Sequence, residues 1–338
     1  MINLQQLYIN KNDITMRTLL IILIVLCYTK VVNAQTIEKS SIDSGGATVT
    51  AGGIDILYTI GEVNVQELSV GGIQVSEGFI NPEFRILVDP QVFLQGPILQ
   101  PGTPGLMNDD LRVAGHLPVL SPYPDLALVA ASVFNAGGTS GGGLAQDDIV
   151  DWVWLELRAA NDNTKLINAR SALVQRDGDV VDLDGISNVL MRAAPTNYFL
   201  VIDHRNHMGA MSDATIGLSE TPTTVDFTNN AFATFGSNAQ VVLGSGDTAL
   251  WAGDTDNSNK IKFSGSGNGA NVIKDHVLAD PANGFNSVTF SSTGYLDIDV
   301  NLNGFGKFSG SGNDANILKD NVLAHPGNGF GSVTYTIS

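Results

Sequence analysis

The chain has 338 residues, a formal net charge of −17, only 15% charged residues, 37 glycines and one cysteine. That length suffices for two or three compact units. The acidic surface disfavours nucleic acid and anionic membranes as partners, and a lone cysteine excludes a disulfide framework.

Long helical periodicity is missing over most of the chain, while Gly, Thr, Val, Ile and Asn are plentiful. This predicts a mostly β protein of short strands and tight turns, with β-sandwich-like domains. Residues 1–34 read as an export signal. Lys11 and Arg17 precede an apolar run from Leu19 to Cys27, and Val32-Asn33-Ala34 is a small-residue cleavage site. The run is too short to span a bilayer, so the mature chain is expected without a membrane span. Cleavage would remove Lys11, Arg17, Lys30, Asp13 and Cys27, leaving a charge of −19 and no cysteine. The expectation is a secreted or cell-surface protein.

Residues 35–82 read as a small β unit, with strand-like Ile54–Ile60 and Val63–Leu68 between paired glycines. Residues 83–106 carry Pro90, Pro97, Pro101 and Pro104, which predicts an extended connector, although Val92-Phe93-Leu94 could open the next unit. Residues 107–232 read as a β-sandwich-like domain. Its clearest strand runs from Ile149 to Arg158. There Val153, Leu155 and Leu157 share one face, and Trp152, Trp154, Glu156 and Arg158 the other. Gly137–Gly143 reads as a flexible loop.

Residues 245–338 carry an internal repeat with a period of 45: between 254–290 and 299–335, 22 of 37 positions are identical. Two similar folded units follow. Each opens with side-chain oxygens at alternate positions: Asp254, Asp256 and Ser258 in the first copy, Asp299, Asn301 and Asn303 in the second. This spacing lets a tight loop turn three side chains onto one point, and the carbonyl at position 7, from Lys260 or Phe305, adds a ligand. Position 6 needs positive φ, which Gly304 and Asn259 tolerate. All-oxygen donors select hard cations, so the expected cofactor is Ca²⁺. Position 12, where a carboxylate belongs, is Gly265 or Gly310. Asp314, four residues on, is the nearest replacement, the first copy has Gly269 there, and Asn271 and Asn316 are further candidates. Each unit continues into a short helix N-capped by Asn268 or Asn313 and stopped by Pro281 or Pro326. Strands are expected at Ser287–Phe290 and Ser332–Tyr335.

Asp-x-Asn-x-Asn-Gly at 299–304, duplicated and followed by a helix, resembles the calcium loops of type I dockerins. It is similar above all to the dockerin-like tandem repeats that end secreted Bacteroidota proteins of the hemagglutinin-like kind. Tyr58–Val63 with Glu77–Ile80, Val150-Asp151-Trp152, Gln175–Asp179 and His204–His207 extend the likeness. The resemblance implies EF-hand/dockerin-like loop-helix repeats and an adhesion or docking role, with an extracellular protein or glycan as partner.

Three further constellations stand out. Asp177, Asp179, Asp182 and Asp184 gather four carboxylates within eight residues, in a spacing that suits a solvated turn. His204 and His207 flank Arg205-Asn206 and lack a third metal ligand. Asp151, Glu156 and Asp203 could supply a carboxylate pair, but no nucleophile motif, phosphate loop or zinc spacing accompanies them. A non-enzymatic calcium-binding structural or adhesion protein is therefore expected. A docking module, or a carbohydrate-binding or hydrolytic domain with Trp152 and Trp154 as a sugar platform, stands as the alternative.

Overall fold

The computed structural model describes residues 46–51, 54–59, 66–70 and 73–77 by their backbone, and 84–135 and 144–338 in full. The expected export signal and the Gly137–Gly143 loop lie outside the described residues. Two compact units are present, 1–81 and 82–338. In the first, β1 (Gly46–Ala51), β2 (Ile54–Thr59), β3 (Gln66–Val70) and β4 (Ile73–Glu77) form an antiparallel meander in sequence order.

The second unit begins with β5 (Ile86–Gln91) and β6 (Phe93–Leu94). The stretch 83–106, expected as a connector, is thus part of the core: Ile86, Val88, Val92 and Leu94 are fully buried. Its prolines are placed where they cost little. The β5 ladder with antiparallel β10 (Val189–Met191) ends at Val88, before Pro90. Pro97 sits in a single helical turn, Gln95–Ile98, whose first N–H groups would lack helical partners anyway.

A six-stranded sheet forms the centre. It runs β12 (His207–Met211), β11 (Thr196–His204), β7 (Ile149–Ala159), β8 (Asp162–Gln175), β9 (Val180–Val181), and β13 (Ile216–Leu218) also pairs with β11. The alternation expected for β7 holds: Val153, Leu155 and Leu157 are fully buried, while Trp154, Glu156 and Arg158 are half-exposed. Trp152 departs from its face-mates. It is completely buried, edge-on to Phe134, and its Nε1 donates to Pro118 O (2.9 Å). A layer of chain from 118–134 covers that end of the sheet, so no two-tryptophan platform is presented. β5 also pairs in parallel with β14 (Thr223–Asp226), and β15 (Gln240–Val242) pairs with β16 (Thr248–Leu250), which meets β6 in parallel. These long-range parallel pairs tie the start of the unit to its later segments. Side chains of all three sheets share one hydrophobic core.

The two repeats build a second core together. Ile273 and Val277 of α1 (Gly269–Ala279) pack with Leu318 and Val322 of α2 (Asp314–Ala324), joined by Ile261, Ile298, Val300 and Ile337. Both N-caps form as expected: Asn268 Oδ1 accepts from Asn271 N (2.8 Å) and Asn313 Oδ1 from Asn316 N (2.9 Å). Strand exchange is reciprocal. β17 (Ile261–Lys262) after the first loop pairs with β20 (Thr336–Ile337), and β18 (Ser291–Thr293) with β19 (Phe305–Lys307) after the second loop. Neither repeat closes its sheet alone. The strands expected at 287–290 and 332–335 are turns instead, displaced because Ser hydroxyls capture the backbone. Ser287 Oγ accepts from Thr289 N and Ser332 Oγ from Thr334 N, each at 3.2 Å. Among the described residues, no helix is long and apolar enough to cross a membrane.

The turn at Gln95–Ile98 lies directly on the second repeat. A Cβ added to Gly96 would stand 2.0 Å from Val300 O. Gly96→Ala is expected to destabilise the unit by about 1–3 kcal/mol through forced displacement of that backbone, read as a lower urea midpoint with unchanged slope.

Candidate metal centre and its buried support

In each loop the first aspartate is buried and ties the loop's own backbone. Asp299 Oδ1 accepts from Asn303 N (3.0 Å) and Oδ2 from Gly304 N (2.7 Å). Asp254 does the same with Ser258 N (2.8 Å) and Asn259 N (2.7 Å). Positions 4 and 6 adopt positive φ in both copies: Asn257 (53°) and Asn259 (55°), Leu302 (57°) and Gly304 (84°). The turn is therefore the same in the two loops, although only one has glycine at position 6.

The copies differ in what lies behind the turn. Asp314, at the first position of α2, folds back onto the second loop. Its Oδ1 accepts from Val300 N (2.7 Å) and its Oδ2 from Lys307 N (2.8 Å). Burial pushes Asp299 up to about 7 against the pull of Arg205 and the loop N–H groups. Burial, then the charge of Asp299, pushes Asp314 up to about 7. Two carboxylates thus share one buried loop. In the first copy a Cβ at Gly269 would meet Thr255 Oγ1 at 2.8 Å and Leu318 Cδ2 at 2.7 Å. Thr255, where the second copy has Val300, fills the space an aspartate would need. Asp254 is pushed up to about 6 by burial, with the adjacent Asp256 adding to it.

Asn301 Oδ1 accepts from Asn303 N (3.3 Å), and Asn303 Oδ1 from Phe305 N (2.9 Å), so both carbonyl oxygens turn toward the loop. Asp256, Ser258 and Lys260 are exposed on the first loop, and Phe305 opens β19. Asn271 and Asn316 are not drawn into the loops. Their Oδ1 atoms accept from Lys274 Nζ and Lys319 Nζ at 3.1 Å. Among the described residues, no three His, Cys, Asp or Glu side chains converge as a metal cluster. The second loop instead offers two carboxylates and two amide carbonyls, an all-oxygen set whose chemistry fits a hard cation such as Ca²⁺.

The feature that sequence reasoning missed is the support under both loops. The hairpin between β11 and β12, His204-Arg205-Asn206-His207, is wholly buried. Asn206 O accepts from Gly253 N (2.9 Å) and Asp254 N (3.0 Å) at the head of the first loop. Asn206 Nδ2 donates to Asp297 O (3.1 Å) and Asp299 O (2.7 Å) at the head of the second. One asparagine therefore joins both. His207 Nε2 accepts from Gly96 N (3.1 Å), which puts its proton on Nδ1, facing Asn206 Oδ1 (2.8 Å). His204 Nδ1 accepts from Asn206 N (3.4 Å), and its Nε2 donates to Asp151 Oδ2 (3.2 Å). Burial keeps both imidazoles below the usual histidine range. With their ring nitrogens engaged by Asp151, Asn206 and Gly96, both rings serve here as hydrogen-bonded packing groups of the hairpin.

Asp151 is the counter-charge. It accepts from Arg205 Nε (3.1 Å) and Tyr295 OH (2.7 Å), and the Arg205 guanidinium lies 3.9 Å from the Tyr295 ring centroid. Burial would raise Asp151, but Arg205 and His204 outweigh it and hold the carboxyl below the usual range. Asp151, Glu156 and Asp203 do not form an open pair. Asp151 is sealed and Glu156 is bound to Arg158 at 2.7 Å. Burial raises Asp203 to about 6, and its Oδ1 accepts from His204 N. The acidic turn also disperses. Asp179 takes Gln91 Nε2 (2.7 Å), Asp182 pairs with Arg170 (2.5 Å), and Asp184 accepts from Ile186 N and Ser187 N.

No family model matches the chain, and neither a curated protein nor a solved structure shows significant similarity to it.

Asn206→Ala would strip Asp297 O, Asp299 O and His207 Nδ1 of a buried partner. A loss of about 2–4 kcal/mol is expected, measured by chemical denaturation. Without a cation, the folded state holds protons on Asp299 and Asp314 between pH 4 and about 7 that the unfolded chain has already released. Stability in chelator is therefore expected to fall as pH rises through that window and to level off above it. Melting temperatures from pH 4.5 to 8 in EDTA check this.

Proposed function

We propose that the chain is a secreted, non-enzymatic calcium-binding protein in which the cation stabilises the C-terminal repeats and, through them, the β unit they are joined to. The observation that carries this reading is the burial of Asp299 and Asp314 in one loop with, among the described residues, no cationic side chain bonded to either carboxylate. Two adjacent buried carboxylates are costly unless a proton or a cation neutralises them. Asp299, Asp314, Asn301, Asn303 and the Phe305 carbonyl would hold the ion in the second loop. Asp254, Asp256, Ser258 and the Lys260 carbonyl make a poorer set in the first. The ion would supply charge neutralisation and loop closure, with no reaction step. The export signal and the likeness to dockerin-like repeats of secreted proteins support an extracellular setting, where calcium is abundant.

A docking role is the second reading, and the exposed phenylalanines favour it. Phe285 and Phe330 occupy the same place in the two repeats and are 97% and 102% exposed. Each sits on a turn fixed by an asparagine: Asn283 Nδ2 donates to Val277 O and Ser287 O, and Asn328 Nδ2 to Val322 O and Ser332 O. Val288 and Val333 flank them, also exposed. Paired aromatics held out on rigid turns suit a protein partner.

Calorimetric titration of the full chain with Ca²⁺ is expected to show a dissociation constant of about 10⁻⁴–10⁻³ M, in the range of extracellular modules. Asp314→Asn should abolish the tighter event and Asp254→Asn should spare it. Chelation should lower the melting temperature at pH 7.5. No heat of binding, together with superimposable melts in EDTA and calcium, would refute the reading.

A further inference from the structure

Beside the second loop lies a pocket of about 350 Å³, at the small end of the range for small-molecule sites. The 96–110 segment forms one wall and contributes Leu99, Gln100, Asn108 and Asp110. The other wall comes from the second repeat, with Asn301, Asn303, Asn316 and Asp320.

Its chemistry is narrow. Among the described residues, no lysine, arginine or histidine is part of its lining, although Lys319 Nζ lies at its rim, 3.1 Å from Asn316 Oδ1 and 3.8 Å from Asp320 Oδ1; with Asp110 and Asp320 the lining still carries net negative charge, which disfavours an anion. Six of its twelve lining residues are asparagine or glutamine, which disfavours an apolar ligand. The amide donors are partly unspent. Asn301 and Asn303 turn their carbonyl oxygens into the loop, where backbone N–H groups donate to them, and their Nδ2 groups have no hydrogen bond within the described residues. Gln100 is exposed, and its side chain likewise has no partner among the described residues. An ammonium ligand would satisfy the carboxylates and leave these N–H donors facing more donors. A hydroxyl serves both, since it donates to a carboxylate and accepts from an amide.

We propose that this pocket binds a neutral, polyhydroxylated ligand, a sugar residue of a glycan. Gln100, Asn301, Asn303 and the Nδ2 of Asn316 donate to ring or exocyclic oxygens, and Asp110 and Asp320 accept from hydroxyls. The exposed Leu99 and half-buried Ile317 offer the small apolar contact that a sugar's C–H face needs. Asn301 and Asn303 also belong to the proposed cation set, so the ordering of their carbonyls rests on the calcium reading, although the remaining wall does not.

The full chain, loaded with about 10 mM Ca²⁺, roughly a tenfold excess over the weaker expected constant, is to be screened against an array of neutral oligosaccharides, and hits titrated by calorimetry. Selective binding of neutral glycans is expected. Gln100→Leu and Asn316→Leu should each weaken it by about tenfold, the effect of one lost hydrogen bond, with the calcium isotherm and melting curve unchanged. A blank array with an intact calcium isotherm would overturn the pocket assignment and leave the calcium reading standing. Glycan binding without any calcium heat would do the reverse. Preference for spermidine or for sulfated sugars, or glycan binding indifferent to both leucine variants, would also overturn the assignment.

Discussion

Asn206 is the constraint on which the second unit depends. Its backbone oxygen holds the head of one repeat loop and its side-chain amide the head of the other. A side chain so placed needs its own orientation fixed, and the neighbours provide that. His207 donates to Asn206 Oδ1 only because Gly96 N has claimed the other ring nitrogen. Gly96 can approach that closely only without a Cβ, since Val300 O occupies the space. Beneath this lies one buried ion pair, Arg205 with Asp151, bonded further to Tyr295 and His204. Buried charge of this kind is weak evidence for net stability, but removing either partner is costly because it leaves the other uncompensated. The hairpin is thus a key that sets how the repeats sit on the sheet within the unit.

The reciprocal strand pairing explains why the repeat comes as a pair. Each loop strand is completed by the strand that follows the other copy's helix, and the helices share one core. The pair is asymmetric where it meets the rest of the unit. Leu302 enters the main core, and Asn321 exchanges two hydrogen bonds with Gln95 at 2.7 and 2.8 Å. In the first copy the matching residues are Asn257 and His276, both exposed. The second copy is docked and the first faces outward. The docked copy is also the one that carries the second buried carboxylate.

Much of this was legible in the sequence for a physical reason: local chemistry governs it. The alternation in β7, the asparagine caps, the proline stops and the two loops follow from side chains within a few residues of one another. The connector reading of 83–106 failed because proline content reports what a segment cannot do locally. It does not report that Val92 and Leu94 would be buried by strands from residue 223 onward. The burial of Trp152 was not legible for a similar reason, since the alternation fixes its face but not the layer from 118–134 that covers it. The strands after the helices were displaced by Ser287 and Ser332, whose hydroxyls compete with the ladder for backbone N–H groups. The hub at Asn206 had a faint signal. Four consecutive polar residues at a strand end are unremarkable alone, but the positions at which the repeats diverge (Val300 for Thr255, Asp314 for Gly269, Asn321 for His276) mark the docked copy, and a docked copy requires a docking partner.

The same divergence bears on what the second loop is tuned for. A carboxylate at positions 3 and 5 binds a hard cation better than an amide does, and the first copy keeps Asp256 at position 3. The second copy has amides, Asn301 and Asn303, at both positions, so it gives up the charge at position 3, and it gains Asp314 from behind. The exchange moves negative charge from the mouth of the loop to its buried side. It leaves N–H donors, Asn301 Nδ2 and Asn303 Nδ2, at the mouth, where Gln100 and Asp110 face them across the pocket. For a loop serving only as a cation clasp, the exchange weakens the front of the site without return. For a loop that must also present hydrogen-bond donors to a hydroxylic ligand, it separates the two tasks between two sides of one turn.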